Sequence, residues 1–289
     1  MNSALATTMR VRLYLDAIKF EHTIFALPFA YLGMILAAHG WPGWLTFFWI
    51  TVAMVGARTG AMAANRLIDA DVDRKNPRTM DRALPAHRIS RAEMFAVASV
   101  GFALLHVAAW QLNLLALALA PVAMVAVTLY SYTKRFTWTS HWVLGLADGI
   151  APMGGWIAVR GDIGPDAVVL ALVVMFWIAG FDVLYALQDI NFDRQRGLHS
   201  VPAKFGTRCA LHIARMSHAL SVGALIVLGA IAPLAWPYWV GVGLIGALLV
   251  HEHMMLRKDL AHLNIAFFNI NGYVAITALV FTIGGVWVG

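Results

Sequence analysis

The sequence predicts an all-α, polytopic membrane bundle of about nine transmembrane helices around a central cavity. Three observations predict it. Hydrophobic residues make up 61% of the 289 positions. Apolar runs of about 20 residues recur along the chain, each long enough to cross the hydrocarbon core as a helix. Lys and Arg gather in alternate connections between those runs. Length alone would allow two soluble domains, but the repeated spans make residues 1–289 a single membrane domain. No period-two alternation lasts long enough to argue for a barrel.

The runs fall at roughly 20–39, 44–64, 93–110, 114–132, 141–159, 167–188, 209–232, 238–256 and 263–288. The first two are parted by His39-Gly40-Trp41-Pro42-Gly43, and the fifth and sixth by Arg160-Gly161-Asp162. Both breaks combine turn formers with polar or amphipathic side chains and cannot continue a span. The N-terminal twenty residues carry neither an apolar signal core nor a cleavage signature, so the first span is expected to remain in the mature protein.

Charge orients the bundle. Cations occupy the N-terminal stretch (Arg10, Arg12, Lys19) and the connections after even-numbered spans: Arg66 to Arg91, Lys134-Arg135, Arg194 to Arg215, and Arg257-Lys258. Arg160 alone lies in a connection on the other side, and Arg58 lies within a span. The positive-inside rule therefore puts the N-terminus in the cytoplasm, and an odd helix count puts the C-terminus in the periplasm of a bacterial inner membrane. The formal net charge of +6 reflects that topology and a bound anion, not nucleic-acid binding. Cys209 is the one cysteine, which excludes an intramolecular disulfide and a thiolate metal site. It reads as a small buried apolar side chain.

Against this background two acidic clusters stand out: Asn65-Arg66-Leu67-Ile68-Asp69-Ala70-Asp71-Val72-Asp73, and Asp182 through Tyr185, Gln188 and Asp189 to Asp193. Each ends a hydrophobic run and holds three aspartates. Carboxylates there are costly unless paired with cations. Arg58, Asn65 and Asp69 share their spacing with Asp182, Asp189 and Asp193. At about 100° per residue, both sets would line one helical face, with Asp73 one turn further on and Asp71 pointing away. The pattern suggests a weak internal repeat, with the second and sixth spans facing across a cavity. A basic, turn-rich segment follows each cluster, at 74–91 and 194–207, and suits a substrate lid.

Oxygen ligands on successive turns suit Mg²⁺, which keeps part of its water shell and completes its coordination with phosphate. Cations above two such arrays suit a diphosphate held as a stabilised leaving group. Alternatively, the aspartates pair with Arg66, Arg74, Arg194 or Arg196 as interfacial salt bridges. Deeper in the membrane, Arg58 needs an anion, either an aromatic acid's carboxylate or an internal partner, Asp182 or Asp148. His251-Glu252-His253 invites a zinc reading, but consecutive helical residues diverge by about 100° and do not converge on one ion.

The motifs Asn65-x3-Asp69-x3-Asp73, Asp182-x2-Tyr185-x2-Gln188-Asp189-x3-Asp193 and Gly197-x2-Ser200 resemble those of the UbiA superfamily of intramembrane prenyltransferases. Lys19-Phe20-Glu21-His22-Thr23 and the Tyr-Ala-Leu-Gln-Asp run are similar to the 4-hydroxybenzoate branch. The resemblance covers essentially the whole chain. It implies a nine-helix fold with a laterally open cavity, and Asn65, Asp69, Asp73, Asp189 and Asp193 as the set for Mg²⁺ and a polyprenyl diphosphate. It further implies Lys134, Arg135 and Lys204 as diphosphate contacts and Arg58 as the partner of the acceptor's carboxylate. Asp182 is expected to orient the phenol or take a proton, and Tyr185 to hydrogen-bond substrate or diphosphate. Lys19, Glu21 and His22 could reach the acceptor, or anchor the interface. The implied reaction is 3-prenylation of 4-hydroxybenzoate in ubiquinone biosynthesis. Two rivals remain: a dihydroxynaphthoate acceptor on a menaquinone route, and a cation-coupled transporter.

Overall fold

The computed structural model describes residues 3–20, 23–258, 263 and 269–289, with side chains described over 10–20, 27–257, 263 and 269–289. Helices form in the order α1 (Ser3–Ala17), α2 (Thr23–Ala38), α3 (Trp44–Asp73), α4 (Arg91–Leu112), α5 (Leu114–Thr133), α6 (Ser140–Arg160) and α7 (Pro165–Tyr185). A 3₁₀ turn (Ala186–Asp189) leads into α8 (Ile190–Arg196), then α9 (Val201–Ile231), α10 (Trp236–Lys258) and α11 (Asn271–Val288). Among the described residues, eight helical segments are long and apolar enough to cross a membrane, and Leu27–Ala38 is a shorter apolar helix. The expected all-α membrane bundle is therefore present, with eight spans and one shorter apolar helix among the described residues.

Local chemistry sets several boundaries. Ser90 and Glu93 form a reciprocal capping box at the start of α4, which satisfies two otherwise orphaned backbone donors. Asn113 ends α4 and caps α5 by accepting from the Ala116 N–H at 2.8 Å. Its amide also donates to Ile157 O at 2.7 Å, tying this tight hairpin to α6. Ser200 caps α9, and Gly206 breaks that helix internally with φ 80°, a conformation glycine adopts without side-chain strain.

Small residues bring the helices close. Along the α3–α4 contact, a Cβ on Gly56 would lie 2.7 Å from the carbonyl oxygen of Gly101, the close approach that small residues permit in membranes. Further packing joins α6 to α7 and α2, α9 to α7, and α10 to α11. Trp177, Leu170 and Leu228 anchor the largest buried cluster. Phe95, Trp110 and Leu114 remain exposed outside the core, as a lipid-facing surface requires.

Two features depart from the sequence reading. Helix α1 precedes the first apolar run, and α9 begins at Val201. The matched helical faces also need correction. Arg58, Asn65, Asp69 and Asp73 do share one uninterrupted helix. Asp182 and Asp189, however, are separated by the end of α7 and the 3₁₀ turn, and Asp189 sits at φ −105°, ψ 6°. A 3₁₀ segment turns about 120° per residue, so the α-helical offsets do not carry across it.

Candidate active site

Asp69 lies at the end of a 30-residue helix and is 4% exposed. Its Oδ2 accepts from Asn65 Nδ2 at 3.1 Å and Lys134 Nζ at 2.8 Å. Its Oδ1 accepts from Arg135 at 3.1 Å, and the same arginine donates to Ile68 O at 2.8 Å. Asn65 also donates to Ser131 Oγ at 3.0 Å. The end of α5 and the α5–α6 connection thus deliver a hydroxyl and two cations around one buried carboxylate. One turn on, Asp73 accepts from Arg82 at 2.7 Å. Asp71 points away as expected, 68% exposed and paired with Arg91.

The second cluster is held by the segment that follows the first. Asp189 Oδ1 accepts from Asn76 Nδ2 at 3.1 Å and Arg78 Nε at 3.0 Å. A second Arg78 nitrogen donates to Oδ2 of the same carboxylate, completing a two-point grip. Arg78 also donates to the Tyr185 hydroxyl at 3.1 Å. Burial alone would lower the Arg78 pKa, but the hydrogen bond and attraction of Asp189 outweigh it and raise the pKa above the ordinary arginine value. Asp193 accepts from Ser200 Oγ at 2.8 Å. Residues 76–82 therefore bridge Asp73 on one side to Asp189 on the other. Nothing in the spacing of Asn76, Arg78 and Arg82 identified those partners, although their basic segment was legible as a lid.

Deeper, α2 to α6 enclose a cavity of about 240 Å³. Its lining is apolar apart from Arg58, Tyr130 and Asp148. Arg58 stands 3.9 Å from Asp148, and its buried Nε has no hydrogen-bond partner among the described residues. The internal partner is thus Asp148; Asp182 instead meets His141, with Asp182 Oδ2 at 2.7 Å from Nδ1. His141 went unnoticed in the sequence as an isolated histidine at the start of an apolar run.

Other expected contacts fall elsewhere. Lys204 Nζ lies 5.1 Å from the ring centre of Trp138 and 5.2 Å from that of Phe205, and it makes no ion pair with either cluster among the described residues. Lys19 follows α1 with φ 52°. Arg66 fixes the end of α1 by donating to Ala17 O at 2.9 Å, so Lys19 stands near the Arg66 level of α3. Glu21 and His22 lie outside the described residues. In the last histidine tract, His253 Nε2 meets His218 Nδ1 at 3.0 Å. Among the described residues, no three His, Cys, Asp or Glu side chains form a metal-holding group.

The UbiA prenyltransferase family profile matches residues 26–276, and the chain belongs to that family. It is a multi-pass membrane prenyltransferase. It resembles the 4-hydroxybenzoate octaprenyltransferase of Cupriavidus necator, with 29% identity over 252 residues, 86% of this chain and 88% of that protein. The apo structure of a UbiA homologue from Aeropyrum pernix K1 is 32% identical and superposes with TM-score 0.84, covering 91% of this chain and 98% of the other. A homologue from Archaeoglobus fulgidus, bound to DMAPP and Mg²⁺, has the same fold at TM-score 0.70 and 18% identity, covering 94% and 99% of the two chains.

Proposed function

We propose that this enzyme transfers a polyprenyl group from an allylic polyprenyl diphosphate to C3 of 4-hydroxybenzoate. The observation carrying this reading is Arg58, whose buried Nε has no hydrogen-bond partner among the described residues, in a cavity otherwise lined mainly by apolar side chains. Leaving such a donor unsatisfied is costly. A flat aromatic acid supplies the missing acceptor oxygens and fits the apolar walls. The name of the Cupriavidus necator relative agrees with that acceptor.

The donor end fits Mg²⁺ by its chemistry. Asn65, Asp69, Asp73, Asp189 and Asp193 offer hard oxygen donors, and Mg²⁺ commonly takes one or two carboxylates and completes its shell with substrate phosphate and water. Bound there, Mg²⁺ would supply Lewis-acid stabilisation of the departing diphosphate. The protein's own cations act in the same place. Lys134, Arg135, Arg78 and Arg82 already hold these carboxylates, and turning toward the diphosphate would exchange one anion for another.

Loss of diphosphate breaks the allylic C–O bond, and the electron pair leaves with oxygen. The ring carbon ortho to the phenol supplies the pair for the new C–C bond, and loss of its proton restores aromaticity. Arg58 aligns the acid end of the acceptor, Asp182 faces the phenol, and Tyr185 contacts the diphosphate side with Arg78. Apolar walls keep water from the cationic intermediate. The cytoplasmic placement of both acidic ends follows from the positive-inside rule.

A second acceptor has one specific observation in its favour. Ala57, Ala61, Ala147 and Ala151 line the cavity near Arg58 and Asp148. Small side chains there leave width for a bicyclic ring, so a dihydroxynaphthoate would meet Arg58 through the same carboxylate. Purified protein given geranyl diphosphate and Mg²⁺ should convert 4-hydroxybenzoate to its 3-geranyl derivative. Transfer to dihydroxynaphthoate alone would replace the acceptor assignment, and no transfer to either would sink it.

A further inference from the structure

His141 is 3% exposed at the beginning of α6, and both its ring nitrogens are engaged. The Val201 backbone N–H donates to Nε2 at 3.1 Å. A backbone N–H can only donate, so Nε2 must be the bare nitrogen and the proton must sit on Nδ1. That N–H therefore points at Asp182 Oδ2, 2.7 Å away. The tautomer follows from the immovable donor on the far side of the ring.

The consequence falls on Asp182. One of its oxygens is occupied by a neutral imidazole donor, while Oδ1 carries no hydrogen bond within the described residues. The carboxylate is 28% exposed, and the cavity-wall residue Asp148 is within its electrostatic reach. Oδ1 is thereby left open as an acceptor on a carboxylate whose charge reaches the cavity-wall residue Asp148. A phenolic O–H supplies the matching donor.

The same contact reaches the donor end. Ser200, the residue before Val201, donates to Asp193 at 2.8 Å. The preceding His199 N–H donates to Lys134 O at 2.7 Å. Two consecutive residues, Ser200 and Val201, thus connect Asp193 and, through His141, Asp182.

We propose that His141 is a positioning residue for the acceptor: held in its Nδ1–H tautomer by Val201, it fixes Asp182 so that Oδ1 accepts the phenolic hydroxyl. This inference rests on the reading that Asp182 faces the acceptor. The structural alternative is that His141 merely anchors the start of α9, in which case its Nε2 bond would matter and its Nδ1 bond would not.

Two substitutions separate those roles. In His141→Asn the amide nitrogen replaces Nδ1, and in His141→Gln the amide oxygen replaces Nε2. Initial rates are measured on the full chain in detergent with geranyl diphosphate, Mg²⁺ and the carboxylated phenol that the wild type prenylates. A hydrogen bond to a charged group is worth enough that His141→Gln should lose about tenfold to a hundredfold in acceptor kcat/KM. His141→Asn should stay well above His141→Gln, and the KM for geranyl diphosphate should stay at the wild-type value in both. The reverse ranking, or a donor KM rising alongside the acceptor KM, would overturn the proposal in favour of anchoring. Asp182→Asn is run in parallel. Wild-type acceptor kinetics in Asp182→Asn would remove both the reading of Asp182 and this inference. An impaired Asp182→Asn beside an unimpaired His141→Gln would remove the role of His141 alone.

Discussion

The two ends of the site are built on opposite principles. At the donor end every carboxylate of the proposed metal set already has a hydrogen-bond donor: Asp69 holds Lys134 and Arg135, Asp73 holds Arg82, Asp189 holds Arg78, and Asp193 holds Ser200. At the acceptor end Arg58 is 3.9 Å from Asp148 and leaves its buried Nε without a hydrogen-bond partner among the described residues. The difference teaches how each end can recognise its ligand. On the proposed reading the donor end would exchange ion partners, a diphosphate with its metal replacing charge by charge. The acceptor end has an anion in Asp148 but leaves one guanidinium N–H without an acceptor among the described residues, so a single carboxylate would add a hydrogen bond without displacing many.

The largest effect should come from breaking the exchange. Asp69→Ala strands two cations and removes a proposed metal ligand, and loss of one member of a buried pair costs about 3–5 kcal/mol. Turnover should fall by more than about a hundredfold, together with a drop in thermal stability. Near wild-type turnover at limiting Mg²⁺ would contradict the donor assignment. Metal removal belongs to the same scale. Chelation with EDTA should abolish transfer and added Mg²⁺ should restore it, whereas undiminished rates after chelation would leave the oxygen cluster a purely internal salt-bridge network.

A smaller change is expected in the bridge between clusters. Arg78→Ala removes a two-point contact to Asp189 and a donor to Tyr185. Its KM for the prenyl diphosphate should rise by about tenfold, in line with one charge-assisted contact, while acceptor KM stays put. Equal rises in both constants would mean that residues 76–82 organise the whole site. The smallest effect is structural. Ser90→Ala deletes the reciprocal cap of α4 and should cost about 1 kcal/mol of stability, read as a lower melting temperature with kcat preserved.

Much of this architecture was legible because a bilayer imposes simple rules. A span needs a run of apolar residues, and cytoplasmic connections collect cations, so the bundle and the shared side of Asp69, Lys134 and Arg135 followed from pattern. The pairing of Asp69 with those two cations, rather than with Arg66, Arg74, Arg194 or Arg196, did not. Arg58 could be picked out because a lone guanidinium within an apolar run demands an explanation. Other features depended on tertiary contacts. The 3₁₀ turn at Ala186–Asp189 is invisible to an argument that assumes 100° per residue throughout. His141 takes its meaning from Asp182 and Val201, which lie 41 and 60 residues away in sequence. Lys204 shows the converse. The family resemblance implied a diphosphate contact there, and no sequence pattern foretold that Trp138 and Phe205 would offer its ammonium aromatic faces, a cation–π attraction.

The central claim is that Arg58 selects an acceptor bearing a carboxylate. Its most direct test compares 4-hydroxybenzoate with 4-methylphenol, which lacks the acid group, in wild type and Arg58→Ala. The wild type should prefer the acid by about a hundredfold in kcat/KM, the size of a buried charge-assisted pair, and Arg58→Ala should prenylate the two at nearly equal rates. A preference for the acid that survives unchanged in Arg58→Ala would contradict the account.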